Sequence, residues 1–510
     1  MNPFSWWHFE GWKSLLLAAA IFLGMELRGS CDEGIGIGSG LGKSLDTKGI
    51  KPGDKPVKPV EAKGAELEGI WHTAYRTHLT SENLFFEFIK KPDGSFRAVF
   101  DSPEGKVRVP FEFVKVEGKT AKILAFGLQT FLELNLNEDG RTALGQIHSQ
   151  GKILPFRFVR IPKRPDFPRP QDPKKPFPYR EEEVAVTNEK AKVRLSGTLT
   201  IPEGEGPHPA VFLVTGSGPD VRNVVGGGHE YFLVLADFLT RRGIAVLRVD
   251  DRGIGKSTGR FDQVTSEISS QDAETCVAFL KGRKEIDPKK IGLIGHSDGV
   301  QAASLLAARS SDIAFLVMLA GQGVTGEKLM LTQSEAGYRA LGQNDALVEF
   351  QLQLQKDVLR IVKEQTDDSQ ADTQLRKLIK DFDAKLTDEY RKKLGVDRGF
   401  SVMQMAGSPT WLRFFATNDP SAAIRKVKCP VLALNGDKDL IVSAKENLPA
   451  IEGALREGGN TDYTIKLMPN LNHMMQTCEV GAPWEYLHIE ETMSPKALEL
   501  VADWIKDHVK

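Results

Sequence analysis

The run IGLIGHSDGV sets a serine between two glycines: Gly295, His296, Ser297, Asp298, Gly299. A serine hydroxyl is a weak nucleophile until a base takes its proton. A turn tight enough to present it tolerates only small residues two places to either side. IGLIG reads as a buried strand and VQAASLLAAR as a helix, so Ser297 falls on a strand-to-helix turn. The base and its acid should follow in the order Ser, Asp or Glu, His, on loops after later strands. His473, His488 and His508 are the histidines beyond Ser297. His473, in PNLNHMM, comes directly after the last strand-like run and is the expected base. LALNGDKDLIV offers Asp439 and Asp437; Asp439, three residues past Gly436, is the expected acid and Asp437 the runner-up.

An acyl-transfer site also needs two backbone N–H donors aimed at the developing oxyanion. The amide of Asp298 is one candidate. The other is the amide of Ser217, in the glycine-rich loop VTGSGPD. The carboxylate of Asp298 is expected to cap the following helix, where the dipole favours negative charge. The alternative points it into the pocket, where it would repel an oxyanion or select a cationic substrate. His296 is expected to be structural, and Arg252, in DDRGIGKS, to brace the site.

These residues need a scaffold that gathers them. From about Glu182, apolar runs ending in polar loops alternate with helical stretches: PAVFLVTGSG, IAVLRVDDRG, KIGLIGHSDG, IAFLVMLAGQG, PVLALNGDKD and YTIKLMPNLNH. That pattern predicts a mostly parallel sheet flanked by helices on both faces, with ligands at the carboxyl ends of the strands. An opening hairpin is expected in VAVTNEKAKVRLSGTLTIP. Residues 323–425 interrupt the alternation with charged stretches whose apolar residues recur three and four apart, which predicts a helical lid. The alternative is a solvated helical hairpin without a gating role. Trp411, Phe414 and Phe415 near its end suit an acyl pocket, or simple core packing.

Ahead of this region, residues 65–162 alternate apolar and polar residues between PDG, EGK and EDG turns, which predicts a small antiparallel barrel of about eight strands. Its opening Gly69-Ile70-Trp71 resembles the start of a lipocalin-like domain, and an accessory role is expected. Residues 163–182 form a proline-dense spacer and 32–64 a flexible linker. The linker contains GIGIGSGLGKS, but Ile37 stands where a phosphate loop needs glycine. Residues 1–31 read as an export signal. Lys13 precedes an apolar run of roughly a dozen residues, where a spanning helix needs about 20. Periplasmic or secreted placement is expected, with membrane attachment only through acylation of Cys31. With 67 basic against 68 acidic residues and no basic stripe, no nucleic-acid partner is expected. The four cysteines show no metal spacing and permit at most one disulfide once Cys31 is lost.

Taken together, LVTGSGPD, LADFLTRRGIAVLRVDDRGIGKSTG, IGLIGHSDG, KCPVLALNGDKDLIV, AKENLPAIE and LMPNLNHMMQT make residues 183–510 resemble an α/β-hydrolase. Within that superfamily they resemble the bacterial EstD-type carboxylesterases, which are annotated near dienelactone hydrolases. Members usually carry Glu after the nucleophile, where this chain has Asp298, and read GSGPQDRD where it has GSGPDVRN. The resemblance implies a serine carboxylesterase acting on short- to medium-chain acyl esters through Ser297, His473 and Asp439, with no metal or organic cofactor. Two other readings compete. A peptidase of the prolyl-oligopeptidase type shares the triad order but usually gates its site with a propeller far larger than this barrel. A non-catalytic exported binder would leave an intact triad unused.

Overall fold

The structure, a computed structural model, describes residues 67–76, 81–125, 130–149, 152–394 and 409–510. The expected export signal, the linker and Cys31 lie outside these residues, as does the stretch 395–408 of the expected lid. The chain forms two compact units, one holding Leu84–Asp101 and Arg108–Arg164, the other Pro165–Lys510, with shorter segments assigned to each.

The first unit is built on a closed antiparallel barrel of eight strands in chain order. They are β1 (Gly69–Arg76), β2 (Ser81–Lys90), β3 (Phe96–Ser102), β4 (Val107–Glu117), β5 (Thr120–Ala125), β6 (Thr130–Leu136), β7 (Thr142–Ser149) and β8 (Lys152–Ile161). Ile70 pairs with Ile161 to close it. The period-two alternation turns one side of each strand inward. That side carries Phe86 and Phe88 on β2, Ala98 and Phe100 on β3, Leu132 and Leu134 on β6 and Phe158 on β8, all buried. Trp71 is fully buried and its indole N–H donates to the Leu67 carbonyl at 2.9 Å. The interior is therefore filled by side chains, as small barrels are.

The second unit holds an open eight-stranded sheet in the order β18-β17-β16-β15-β11-β14-β10-β9. β9 (Tyr179–Asn188) and β10 (Val193–Pro202) form the expected opening hairpin. β11 (His208–Val214), β14 (Ala245–Val249), β15 (Ile286–His296), β16 (Leu316–Leu319), β17 (Val431–Gly436) and β18 (Tyr463–Met468) run parallel. A two-residue ladder, β12 (Val225–Gly226) with β13 (His229–Glu230), was not expected from the sequence. One face packs beneath helices Ser266–Lys281, Gly299–Arg309 and Ala444–Glu457, and the other beneath Tyr231–Thr240 and Pro495–His508. β14, β16, β17 and the Ile291–His296 part of β15 are largely apolar and buried because both faces are covered.

Between β16 and β17 the chain leaves the sheet for helices Gly326–Ala340, Asp345–Glu364, Asp368–Ala384, Asp388–Leu394, Pro409–Thr417 and Ser421–Ile424. This insertion has a core of its own, centred on Leu347, Phe350, Val358, Phe382 and Leu412. A smaller apolar cluster joins its Leu329 and Phe415 to Val442, in the loop after β17.

Candidate active site

The turn after β15 presents Ser297 with φ of +56°, a conformation that costs an L residue energy and persists only where its surroundings enforce it. The enforcement is visible. A Cβ on Gly295 would lie 2.5 Å from the Gly299 carbonyl oxygen, and one on Gly299 would lie 2.3 Å from that of Val214. The Ser297 amide donates to the Leu319 carbonyl at 3.0 Å, fixing the turn against β16. Gly216 comes so close that a Cβ there would sit 3.2 Å from the Ser297 Cβ, so the loop after β11 lies beside the serine. Ser217, next in that loop, is exposed. Among the described residues, the amides of Ser217 and Asp298 donate no hydrogen bond.

The loops after β17 and β18 bring Asp439 and His473 together. His473 Nδ1 lies 2.9 Å from Asp439 Oδ2, with both residues buried. Asp439 Oδ1 accepts the amides of Ile441 and Val442, each at 2.8 Å, so the carboxylate is anchored as well as paired. The carboxylate must accept, so Nδ1 carries the proton and Nε2 is left as an acceptor. Asp437 is not part of this pair: it accepts the amide of Asn470 at 2.6 Å and ties the two loops together. His488 and His508 lie elsewhere, beside Phe167 and on Trp504 respectively. Among the described residues Ser297 Oγ makes no hydrogen bond; the ring of its neighbour His296 stands 4.8 Å from that of His473.

His296 has the structural place expected of it. Its Nε2 donates to the His473 carbonyl at 3.0 Å. Burial, with His473 adding to it, pushes its pKa down to about 3, so the ring stays neutral. Arg252 braces the site through two bonds to Asp272, at 2.9 and 2.7 Å. Three further braces carry no local sequence signal. Asn472 folds its own loop by accepting the amides of Met474 and Gln476, both at 3.0 Å. Arg222 grips the buried Asp250 through two bonds, at 3.0 and 2.9 Å. Burial would raise the Asp250 pKa, yet Arg222 and backbone amides hold it below the usual carboxylate range. Asp251 accepts the Thr215 hydroxyl at 2.6 Å and the Asp220 amide at 2.9 Å, pinning the loop that carries Ser217. Burial pushes the Asp220 carboxyl up to about 7 and that of Asp251 higher than usual, with Asp220 adding to the latter.

One expectation is corrected. The Asp298 carboxylate does not cap the helix that follows it. A capping residue needs an extended backbone so that its side chain can fold back onto the first amides. Asp298 is already helical, at φ −60° and ψ −24°. Its Oδ1 instead accepts the Ser266 hydroxyl at 2.9 Å, and the indole N–H of Trp411 also donates to the carboxylate. Among the described residues no group of metal-ligating side chains converges on a common point.

A serine in a forced turn, an imidazole oriented by a buried carboxylate and a loop with free amides can serve hydrolytic acyl transfer. The model of the family described as serine aminopeptidase S33 (Hydrolase_4) matches residues 225–478, which hold Ser297, Asp439 and His473 but not the Ser217 loop. The second unit has the α/β-hydrolase fold. The chain is 25% identical over 374 residues to a protein of Thermotoga maritima named Esterase EstD, covering 71% of this chain and 76% of that one. A shorter match, 28% over 129 residues, joins 25% of it to 42% of an uncharacterized Escherichia coli protein from the traX-finO intergenic region. Among solved structures, an esterase of Pyrococcus furiosus aligns over 65% of this chain and 92% of its own, with 16% identity and a TM-score of 0.40. A hypothetical protein of Pseudomonas aeruginosa aligns over 69% and 99%, with 15% identity and a TM-score of 0.43.

Proposed function

We propose that this esterase-type α/β-hydrolase is a serine carboxylesterase for short- to medium-chain acyl esters, working through an acyl-enzyme. The observation that carries the reading is the 2.9 Å pair of His473 Nδ1 and Asp439 Oδ2 in the loops that follow β17 and β18, in a fold that also presents Ser297 in a forced turn. In this reading His473 Nε2 takes the hydroxyl proton as Ser297 Oγ attacks the acyl carbon. The amides of Asp298 and Ser217 receive the oxyanion, and His473 returns the proton to the departing alkoxide. Water, deprotonated by the same imidazole, then releases the acid. Asp439 holds the tautomer throughout. The named esterase relative supports an ester substrate, and the apolar cluster of Leu329, Phe415 and Val442 suits an acyl chain. Export, read from the N-terminal run, belongs to the same proposal and predicts recovery from the periplasm or medium.

A serine peptidase is the second reading, because the matching family is described as a serine aminopeptidase. A fluorophosphonate should label the native protein, and Ser297→Ala should lose labelling together with at least about 10⁴-fold of ester turnover. Labelling that survives in the alanine variant overturns the nucleophile. Turnover of amino-acyl amides in preference to 4-nitrophenyl esters overturns the carboxylesterase in favour of the peptidase.

A further inference from the structure

A carboxylate placed directly after a nucleophile is an awkward neighbour, because its charge opposes the anion that the same residue's amide would receive. In this chain the charge is occupied. One donor, Ser266, is buried at the start of helix Ser266–Lys281, which packs on the sheet, so that side of the contact is rigid. The other donor, Trp411, belongs to helix Pro409–Thr417 of the insertion. Asp298 therefore joins the scaffold to the insertion at the residue beside Ser297.

The indole it holds faces apolar company. Trp411 stacks on Phe415, with centroids 5.0 Å apart and planes 23° from parallel. Both belong to the apolar cluster around Val442, whose amide, like that of the adjacent Ile441, binds the Asp439 carboxylate. One aromatic side chain thus reaches from the residue after the nucleophile to the loop of the acid. A hydrogen bond to an ionised acceptor is stronger than a neutral one and fixes the ring's direction.

We propose that Asp298 positions Trp411 as a fixed wall of the acyl pocket, and that this pair sets the longest acyl chain the enzyme accepts. Asp298 acts through Trp411, so it is a positioning residue, and its carboxylate is not a reader of cationic substrates. The inference rests on the carboxylesterase reading and refines its substrate class: chains short enough to end before the indole.

The test compares kcat/KM for 4-nitrophenyl butanoate and decanoate, each normalised to serine titrated by fluorophosphonate. Trp411→Ala should raise the decanoate-to-butanoate ratio by about 10-fold or more, since one or two accommodated methylenes already shift selectivity that far. Asp298→Ala should move the ratio the same way, and the double variant no further than Trp411→Ala alone. Trp411→Phe, which keeps an aromatic ring but loses the N–H, should raise the ratio in part; it carries the test if the alanine variant does not fold. A merely structural role lowers both substrates together. A ratio unmoved in the Trp411 variants, or independent additive effects in the double variant, overturns the pairing. A native protein that turns over neither ester overturns the carboxylesterase reading and this inference together. One that turns over butanoate with an unmoved ratio overturns this inference alone.

Discussion

The barrel and the open sheet each use eight strands, and they spend them differently. In the barrel, closure of β1 on β8 pairs every strand edge, and the inward residues Trp71, Phe88, Leu134 and Phe158 fill the space so gained. In the sheet, parallel strands stop together, and the chain must leave each one by a loop at the same end. Ser297, Asp439, His473 and Gly216 all stand on those loops, after β15, β17, β18 and β11. A closed wall with a packed interior concentrates stability. A row of parallel strand ends concentrates polar groups that no strand pairing consumes.

If that contrast holds, the largest losses of activity come from single atoms at the strand ends. Asp439→Asn leaves the size of the side chain nearly unchanged but breaks the pairing that keeps Nδ1 of His473 protonated. The expected fall in kcat is about 10⁴-fold. Asp437→Asn, two residues away, touches only the Asn470 amide and should cost less than about 10-fold. Steady-state kinetics on an ester decide it, and a larger loss at Asp437 than at Asp439 breaks the assignment of the acid.

Much of this was legible because local patterns carried it. Alternation between the PDG, EGK and EDG turns announced antiparallel strands, and the apolar runs of β14 to β17 announced a sheet covered on both faces. Ser297 was readable from two glycines, since only a close backbone approach demands both. Asp439 and His473 followed from chain order. The Asp298 side chain was not readable. Its direction depends on a helical backbone at the residue after a forced turn, and on a tryptophan that only the folded insertion brings near. The bond from His296 to the His473 carbonyl likewise spans 177 residues. Asn472 and Arg222 sit in ordinary polar loops, and nothing in their neighbourhood distinguishes a brace from a solvated side chain.

The barrel offers the converse test. Phe158 is fully buried and its ring meets that of Phe86 edge-on, with centroids 5.8 Å apart. Phe158→Ala should cost about 3–5 kcal/mol of barrel stability, because the surrounding strands cannot collapse into the cavity. Urea unfolding followed by near-ultraviolet dichroism measures it. Ester turnover per titrated serine, in the absence of urea, should stay within about two-fold of the native value, since the loss falls on a different core from the one that holds the site. A large fall in turnover per titrated serine would mean that the barrel does more than pack.

The smallest effect is electrostatic and belongs to the strand ends alone. Burial raises the Asp298 pKa from 3.8 to about 6, against the bonds from Ser266 and Trp411, which lower it. The folded chain therefore holds this proton more tightly than the unfolded chain. The stability so gained is full below pH 3.8 and is lost as pH rises through about 6. Moving from pH 5 to pH 8 should cost the native protein about 1–2 kcal/mol at this residue, and Asp298→Asn should remove that share of the pH dependence. Asp220 and Asp251, also raised by burial, titrate in both proteins, so the difference between the two unfolding curves isolates Asp298. Equal slopes against pH in the two proteins would mean that the carboxylate is free in water, and the indole would then lack the charged anchor that fixes it.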